Sequence, residues 1–531
     1  MDLQEYIRKL EQQNKALLEQ VEKLTRQIEK QNRQIENLTE IIRQMQRDKY
    51  GASSEKTKKS EPLDGQICIF NEVEAEFKED VKEPAKITKG GNIRAKGRNR
   101  KEMILKDIPV EEIICDAPEE KLYCKRCGSK LKKIGNEFVR EEIVYIPAQL
   151  KIRRYFRVAY ECPQCKKGDD PFIAKTYAPS AVLPHSLASP SSIANVIYQK
   201  YVNAVPLYRQ EKDWEDLGID LSRTTMANWV IRCSQDYFKP LVEKLKEELL
   251  KRDIVHCDET PVQVLKEEGK KPQTKSYMWL YRTGDDGKEP IIIYDYKMSR
   301  SGENAANFLK DFKGYVHSDG YSGYNKLKGI TRCGCWAHLR RKFVEAIPRT
   351  VIPGKPTNAE TGRDYCDKLF AIERSYAELS PMDRHSRRND PKGAERKLLD
   401  AFWSWIDGIV PMQGSALYRA VTYALNQKPY MENYMKDGRL SISNNAAENA
   451  IRPFTVGRKN WLFADTPAGA DASAAIYSIV ETAKASGLNV YSYFEYLLKY
   501  MPDQRFRTDT SELEALLPWS KRTQEKCNKN A

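Results

Sequence analysis

The chain has 531 residues, with 89 Lys plus Arg against 75 Asp plus Glu and a formal net charge of +14. That balance suits a polyanionic partner without requiring one, and the length calls for several domains. No apolar run approaches the roughly 20 residues of a membrane span, the charged N-terminus excludes a signal peptide, and 12 cysteines are few for a disulfide framework, so a cytoplasmic protein without a membrane partner is expected.

Residues 1–48 carry a heptad pattern, with Leu3, Leu10, Leu17, Leu24, Leu38 and Met45 at d and Ile7, Val21, Ile28, Ile35 and Ile42 at a. Polar Asn14 and Gln31 interrupt the seam. β-Branched residues at a with Leu at d predict a parallel coiled-coil homodimer, and a buried Asn at a fixes register. An amphipathic helix packed on its own domain is the alternative, although it normally needs a wider apolar stripe. Residues 49–107 read as a polar and basic linker. Its stretch Gly91 to Lys101 could follow phosphates or be a solvated charge run.

Within 108–180, Cys124-Lys125-Arg126-Cys127 and Cys162-Pro163-Gln164-Cys165 form two CxxC knuckles. Strands are expected between them at Glu137 to Ile146 and Leu150 to Tyr160. Two knuckles give a closed tetrahedral four-cysteine site, so Cys124, Cys127, Cys162 and Cys165 are the expected ligands of a structural Zn²⁺ ribbon. A redox pair is the rival reading, but such motifs come singly at strand-to-helix junctions.

Residues 185–245 show helical patterns over Ser192 to Asn203, Pro206 to Leu217 and Arg223 to Ser234, with a break at Gly218 and Ser222 as a cap. This resembles a helix-turn-helix, in which Arg223, Thr224, Thr225 and Asn228 begin the DNA-recognition helix. A plain helical connector fits the same pattern.

Over 250–348 the expected order is strand, hairpin, helix, strand, helix, strand. Ile254 to Cys257 is an apolar run ending in Asp258. Tyr277 to Arg282 and Pro290 to Tyr296 form a hairpin around Asp286-Gly287, and a helix over Glu303 to Phe312 follows. Gly314 to Gly320 is a short strand ending in Asp319, and Thr331 to Cys335 leads into a basic helix from Trp336. Residues 349–440 read as an all-helical insertion with helices at Thr361 to Leu379 and Ala394 to Ile409; Trp403, Trp405 and Tyr418 read as core. Residues 441–490 hold Glu448 on a capped helix whose face includes Arg452, and 491–531 close the chain.

This order predicts a multidomain α/β protein with an RNase H-like catalytic domain interrupted by the insertion. Asp258, Asp319 and Glu448, from two strands and a helix, can then hold two divalent ions, Mg²⁺ or Mn²⁺, that clamp the attacking and leaving oxygens of a phosphodiester. His338 and Arg340 are expected near the phosphates, and Arg452, Arg458 and Lys459 as contacts to the DNA backbone. A solvated turn is the alternative for Arg458 and Lys459. Cys333, Cys335 and His338 lack a fourth ligand, so Cys333 is read as structural.

The motifs His256-Cys257-Asp258-Glu259-Thr260, Ser318-Asp319-Gly320-Tyr321, Cys335-Trp336-Ala337-His338 with Arg340-Arg341, and the block Ser443 to Phe463 resemble transposases of the insertion sequence 66 family. The resemblance spans nearly the whole chain. It implies a DDE-type transposase with Asp258, Asp319 and Glu448 as its acidic triad, and a zinc-binding module at the knuckles. It further implies action on the DNA of element ends and target, a bacterial nucleoid-associated setting, and accessory proteins encoded by the same element. A metal-dependent nuclease or resolvase shares the triad, and a non-catalytic DNA-binding regulator shares the other modules; the family block favours the transposase.

Overall fold

The computed structural model describes residues 14–28, 31–32, 35, 149–156, 158–161, 173–175, 179–348, 356–503, 509 and 511–529. The linker, the strand expected at Glu137 to Ile146, the cysteines Cys124, Cys127, Cys162 and Cys165, and much of the heptad region lie outside these residues. Residues 14–28 are helical, and Leu17, Val21, Leu24 and Ile28, at alternating d and a positions, are each more than half exposed.

A short antiparallel ribbon pairs β1 (Ala159–Glu161) with β2 (Ile173–Lys175). The strand expected from Leu150 is therefore shortened: residues 150–156 are irregular and pairing starts at Ala159. Among the described residues nothing covers the β-formers there, with Ile152 86% exposed and Phe156 84%, and a strand is held by its cross-strand and same-face neighbours.

Helices α1 (Pro190–Tyr201), α2 (Leu207–Asp216), α3 (Arg223–Cys233) and α4 (Lys239–Leu250) follow. Ser189 and Ser192 form a capping box on α1. Gly218 at φ +87° turns the chain after α2, and the Ser222 hydroxyl accepts from the Thr225 N–H at 3.2 Å to start α3. Ile193, Met226, Leu241 and Leu245 from these helices are buried in the same core as the sheet residues Val255, Leu280 and Ile293. The helical region thus packs into one core with the large sheet.

The five-stranded sheet runs β5-β4-β3-β6-β7, with β3 (Ile254–Gln263) in the middle. It pairs antiparallel with β4 (Lys275–Thr283), which pairs antiparallel with β5 (Ile292–Lys297). On its other side β3 is parallel to β6 (Tyr315–His317), and β6 to β7 (Thr331–Cys333). Residues 254–257 are all buried, as a strand covered on both faces requires. The hairpin loop is longer than a two-residue turn and is pinned by Arg252, whose Nε donates to Asp286 at 2.6 Å. Gly314, at φ +149°, lets β6 enter beside β3, because a Cβ there would lie 2.2 Å from the Asp253 carbonyl oxygen.

Between β5 and β6 lies α5 (Gly302–Phe308), and after β7 comes α6 (Trp336–Ala346). The insertion is helical, as expected: α7 (Asn358–Ser375), α8 (Pro381–Arg388), α9 (Ala394–Gly408) and α10 (Ala416–Met431). Its core joins Trp336 and Phe343 of α6 to Phe402 and Trp403 of α9, with Trp405 packed against it. Helices α11 (Asn445–Trp461), α12 (Pro467–Ala485) and α13 (Val490–Tyr500) complete the body. On the free edge of β5, the Thr482 and Ser478 hydroxyls of α12 accept from the Ile292 and Tyr294 N–H groups at 3.0 and 2.8 Å. These bonds occupy an edge that would otherwise invite another strand.

Candidate active site

Asp258 lies on central β3, Asp319 two residues beyond the end of parallel β6, and Glu448 in the first turn of α11. The parallel pairing of β3 with β6 brings the first two together, since His256 pairs with His317 and each acid follows its histidine by two residues, although β3 does not end at Asp258 and continues to Gln263. Those imidazoles stack with centroids 4.2 Å apart. Burial holds both on the neutral side, His256 down to about 4 and His317 well below its ordinary range.

Glu448 is placed by Asn444, which is 1% exposed. Its Nδ2 donates to the Cys257 carbonyl at 2.7 Å, its Oδ1 meets His256 Nδ1 at 3.0 Å, and its backbone N–H points at Cys335 Sγ, 3.2 Å away. One residue therefore ties the start of α11 to β3 on the N-terminal side of Asp258 and to the start of α6. Helix α11 is further fixed by Arg282, which donates to the Ala446 carbonyl at 3.1 Å. Asp319 is set by buried Arg332, whose Nε donates to the Ser318 hydroxyl at 2.9 Å and whose Nη2 donates to the Asp319 carbonyl.

The acids repel one another in a partly dry place. Burial, then neighbouring Glu259, with further contributions from Asp319 and Glu448, push the Asp258 carboxyl up to about 8. Glu259 is also raised, first by burial and then by Asp319, although Arg300 donates to it at 2.8 and 2.6 Å and Tyr324 through its hydroxyl. Each of the three acids uses one oxygen on a donor: Asp258 on the Glu259 N–H at 2.9 Å, Asp319 on the Tyr321 N–H at 2.9 Å, Glu448 on Arg341 at 3.1 Å. Their second oxygens have no donor among the described residues, and Glu448 Oε1 is buried without a hydrogen bond. Clustered carboxyl groups, each with one oxygen left without a donor among the described residues, are the donor set a hard divalent cation takes.

His338 lies beside the acids as expected, with Nδ1 3.5 Å from Glu448 Oε1, but neither atom completes a hydrogen bond. Burial lowers its pKa against the opposing pull of Glu448 and Asp319. Arg340 does not face the acids: it donates to Asp367 of α7, and its neighbour Arg341 is the one on Glu448. A one-residue step on a helix turns a side chain by about 100°, so the Arg-Arg pair divides between insertion and site. Arg458 donates to the Thr260 hydroxyl at 3.2 Å, while Arg452 and Lys459 are exposed on α11. Arg223, Thr224 and Asn228 are exposed on α3, whereas the Thr225 amide is spent on the cap. Cys333 is buried in the insertion core. Asn444, Arg332, Arg300 and Arg341 were not singled out by sequence reasoning; the Ser-Asn-Asn run before the Glu448 helix was the one available signal, and it was read as a cap.

The family model for Transposase IS66 family matches residues 185–472, spanning the five-stranded sheet, the helices that follow it and Glu448. That for the zinc-finger binding domain of transposase IS66 matches 121–166, which includes all four knuckle cysteines, and the IS66 C-terminal element matches 478–519. A model described as Transposase C of IS166 homeodomain matches 37–113, most of which reads as linker by composition. The chain is similar to three uncharacterized proteins of Sinorhizobium fredii. It is 27% identical to y4qI over 91% of this chain and 88% of that one, and 27% identical to y4hP over 90% and 87%. Identity to y4jD is 28%, over 78% and 81%. With that match running across the sheet, the three acids and the insertion alike, the chain belongs to the IS66 family of transposases.

Proposed function

We propose that this transposase has an RNase H-like catalytic domain that cleaves phosphodiester bonds at the ends of an insertion sequence and joins the freed 3′-hydroxyls to target DNA. The observation that carries the reading is the convergence of Asp258, Asp319 and Glu448, the first feeling the charge of the other two. The sheet order supports the fold, with β3, β4 and β5 in an antiparallel meander on one side and β6 and β7 parallel to β3 on the other.

Asp258, Asp319 and Glu448 would hold the Mg²⁺ or Mn²⁺ ions. Such ions, when bound, polarise the scissile phosphate, activate an attacking hydroxyl and neutralise the leaving oxygen. Asn444 and Arg332 fix where the carboxylates sit before substrate arrives, so little reorganisation is left for the reaction. Arg341 holds one oxygen of Glu448 and leaves the other available. Arg452, Arg458 and Lys459 follow Glu448 along α11 and contact the DNA backbone, with the exposed face of α3 offering Arg223, Thr224 and Asn228 to DNA. The zinc ribbon holds its ion through Cys124, Cys127, Cys162 and Cys165. Residues 1–48 pair two protomers, which brings two element ends together.

Asp258→Asn, Asp319→Asn and Glu448→Gln are each expected to lower Mg²⁺-dependent strand cleavage at least about 100-fold. Gel shifts should show DNA binding within about twofold of wild type, because no basic contact is removed. Wild-type cleavage by any one variant removes that residue from the triad.

A further inference from the structure

Beside the triad lies a second set of ligand atoms of different chemistry. Cys335 Sγ, a His338 ring nitrogen and a Glu448 carboxylate oxygen all lie within 4.8 Å of one another. Cys335 stands immediately before α6 and His338 in its first turn, so the CxxH spacing puts both on one side of the helix start. Two atoms of the set, His338 Nδ1 and Glu448 Oε1, are buried and lack any hydrogen-bond partner, an arrangement that otherwise costs stability. The sulfur already receives the backbone N–H of Asn444 at 3.2 Å, the kind of outer contact that supports a metal-bound thiolate. Cys333, two residues earlier, is absent from the set and buried in the insertion core.

The geometry points to a binding site for a borderline-soft divalent cation, Zn²⁺ in the first place, formed by Cys335, His338 and Glu448. Zinc–ligand distances of about 2.0–2.3 Å place three such donors on one tetrahedral ion after small side-chain shifts, and leave one position open. Thiolate and imidazole select against Mg²⁺, which takes oxygen ligands and keeps its waters. On binding, the Cys335 S–H bond is replaced by an S–Zn bond, and the proton goes to solvent with no change of oxidation state. Because Glu448 belongs to both sets, zinc bound here takes a carboxylate from the triad and inhibits Mg²⁺-dependent cleavage. The inhibition rests on the role proposed above for Glu448; the binding itself does not.

The full chain, with its ribbon zinc left in place, is titrated with Co²⁺ while the sulfur-to-cobalt charge-transfer absorption is followed. Wild type should take one equivalent beyond the ribbon with a new band. Cys335→Ser should lose the band, His338→Gln should weaken binding about tenfold or more, and Cys333→Ser should keep it. In cleavage assays, Cys335→Ser should need at least about ten times more Zn²⁺ than wild type for half-inhibition, each measured against its own uninhibited rate. Circular dichroism melting confirms that each variant is folded, and His338→Gln serves if Cys335→Ser is not. The same cobalt band in wild type and Cys335→Ser, or equal zinc inhibition in both, overturns the site. If instead Glu448→Gln cleaves normally while the band still requires Cys335, the triad reading fails and the metal site stands.

Discussion

Asn444 does for the third acid what strand pairing does for the first two. Its side chain meets the Cys257 carbonyl and the His256 ring, so α11 cannot shift along the sheet without breaking both contacts. Asn444→Ala is expected to lower the cleavage rate by about 100-fold, the cost of an ångström-scale misplacement, and to destabilise the fold by about 1–3 kcal/mol through stranded buried partners. Single-turnover cleavage and denaturant melts measure the two effects, and cleavage within about threefold of wild type would remove Asn444 as a positioning residue. Asp258 gives a pH signature. An ordinary Asp titrates near 4 when unfolded, whereas folded Asp258 holds its proton to about 8. Between those values the folded protein binds more protons than the unfolded chain, so stability falls as pH rises through this window. Melting temperature without added Mg²⁺ should therefore decline from about pH 5 to about pH 8, with Asp258→Asn removing part of the slope. An unchanged slope in the variant contradicts the assignment. The places of Asp258, Asp319 and Glu448 beside strands and in a helix start were legible because each lies in or just after a patterned segment. Arg332 and Asn444 were not, because their partners lie up to 188 residues away and no local period reports such contacts.

At the scale of elements, the strands of the large sheet and the helices that cap with Ser were legible from burial and caps. The Leu150 stretch failed because its β-propensity has no partner face, and the Arg340-Arg341 pair was assigned to the wrong member because helix phase was unknown. The free edge of β5 could not be anticipated, since a helix rich in small residues covers it and its Ser and Thr hydroxyls take the strand amides. The exposed a and d residues of 14–28 carry their own prediction. The isolated segment 1–48 should sediment as a dimer at tens of micromolar, and Asn14→Val should raise its melting temperature while loosening the choice of strand number. A monomer in the ultracentrifuge at that concentration rejects the pairing.

For the whole molecule, the family and the zinc-finger segment were readable, because the motif block and the paired knuckles each carry their own chemistry. The packing of the helical region was not. The four helices from Pro190 to Leu250 share the core of the large sheet, whereas their pattern alone fitted either a reader of DNA or a plain helical connector. Purified protein should carry one tightly held zinc per chain, and the double change Cys124→Ser, Cys127→Ser should remove it, because two thiolates do not close a tetrahedral site. Elemental analysis decides, and equal zinc in both proteins refutes the four-cysteine ribbon.

The contact between His256 and Asn444 also sets a clock. At about 5–20 residues per second of synthesis, the 188 residues that separate them take roughly 10–40 s to emerge from the ribosome. Once Asp319 has followed, and until the interval ends, the nascent chain owns Asp258, Asp319 and every helix of the Pro190 to Leu250 region, but not Asn444, which ties down the helix that carries Glu448. A polypeptide whose translation stops between α6 and α11 therefore has the sheet without the residue that docks α11 onto it, and the proposed triad can assemble only after nearly the whole chain has been made.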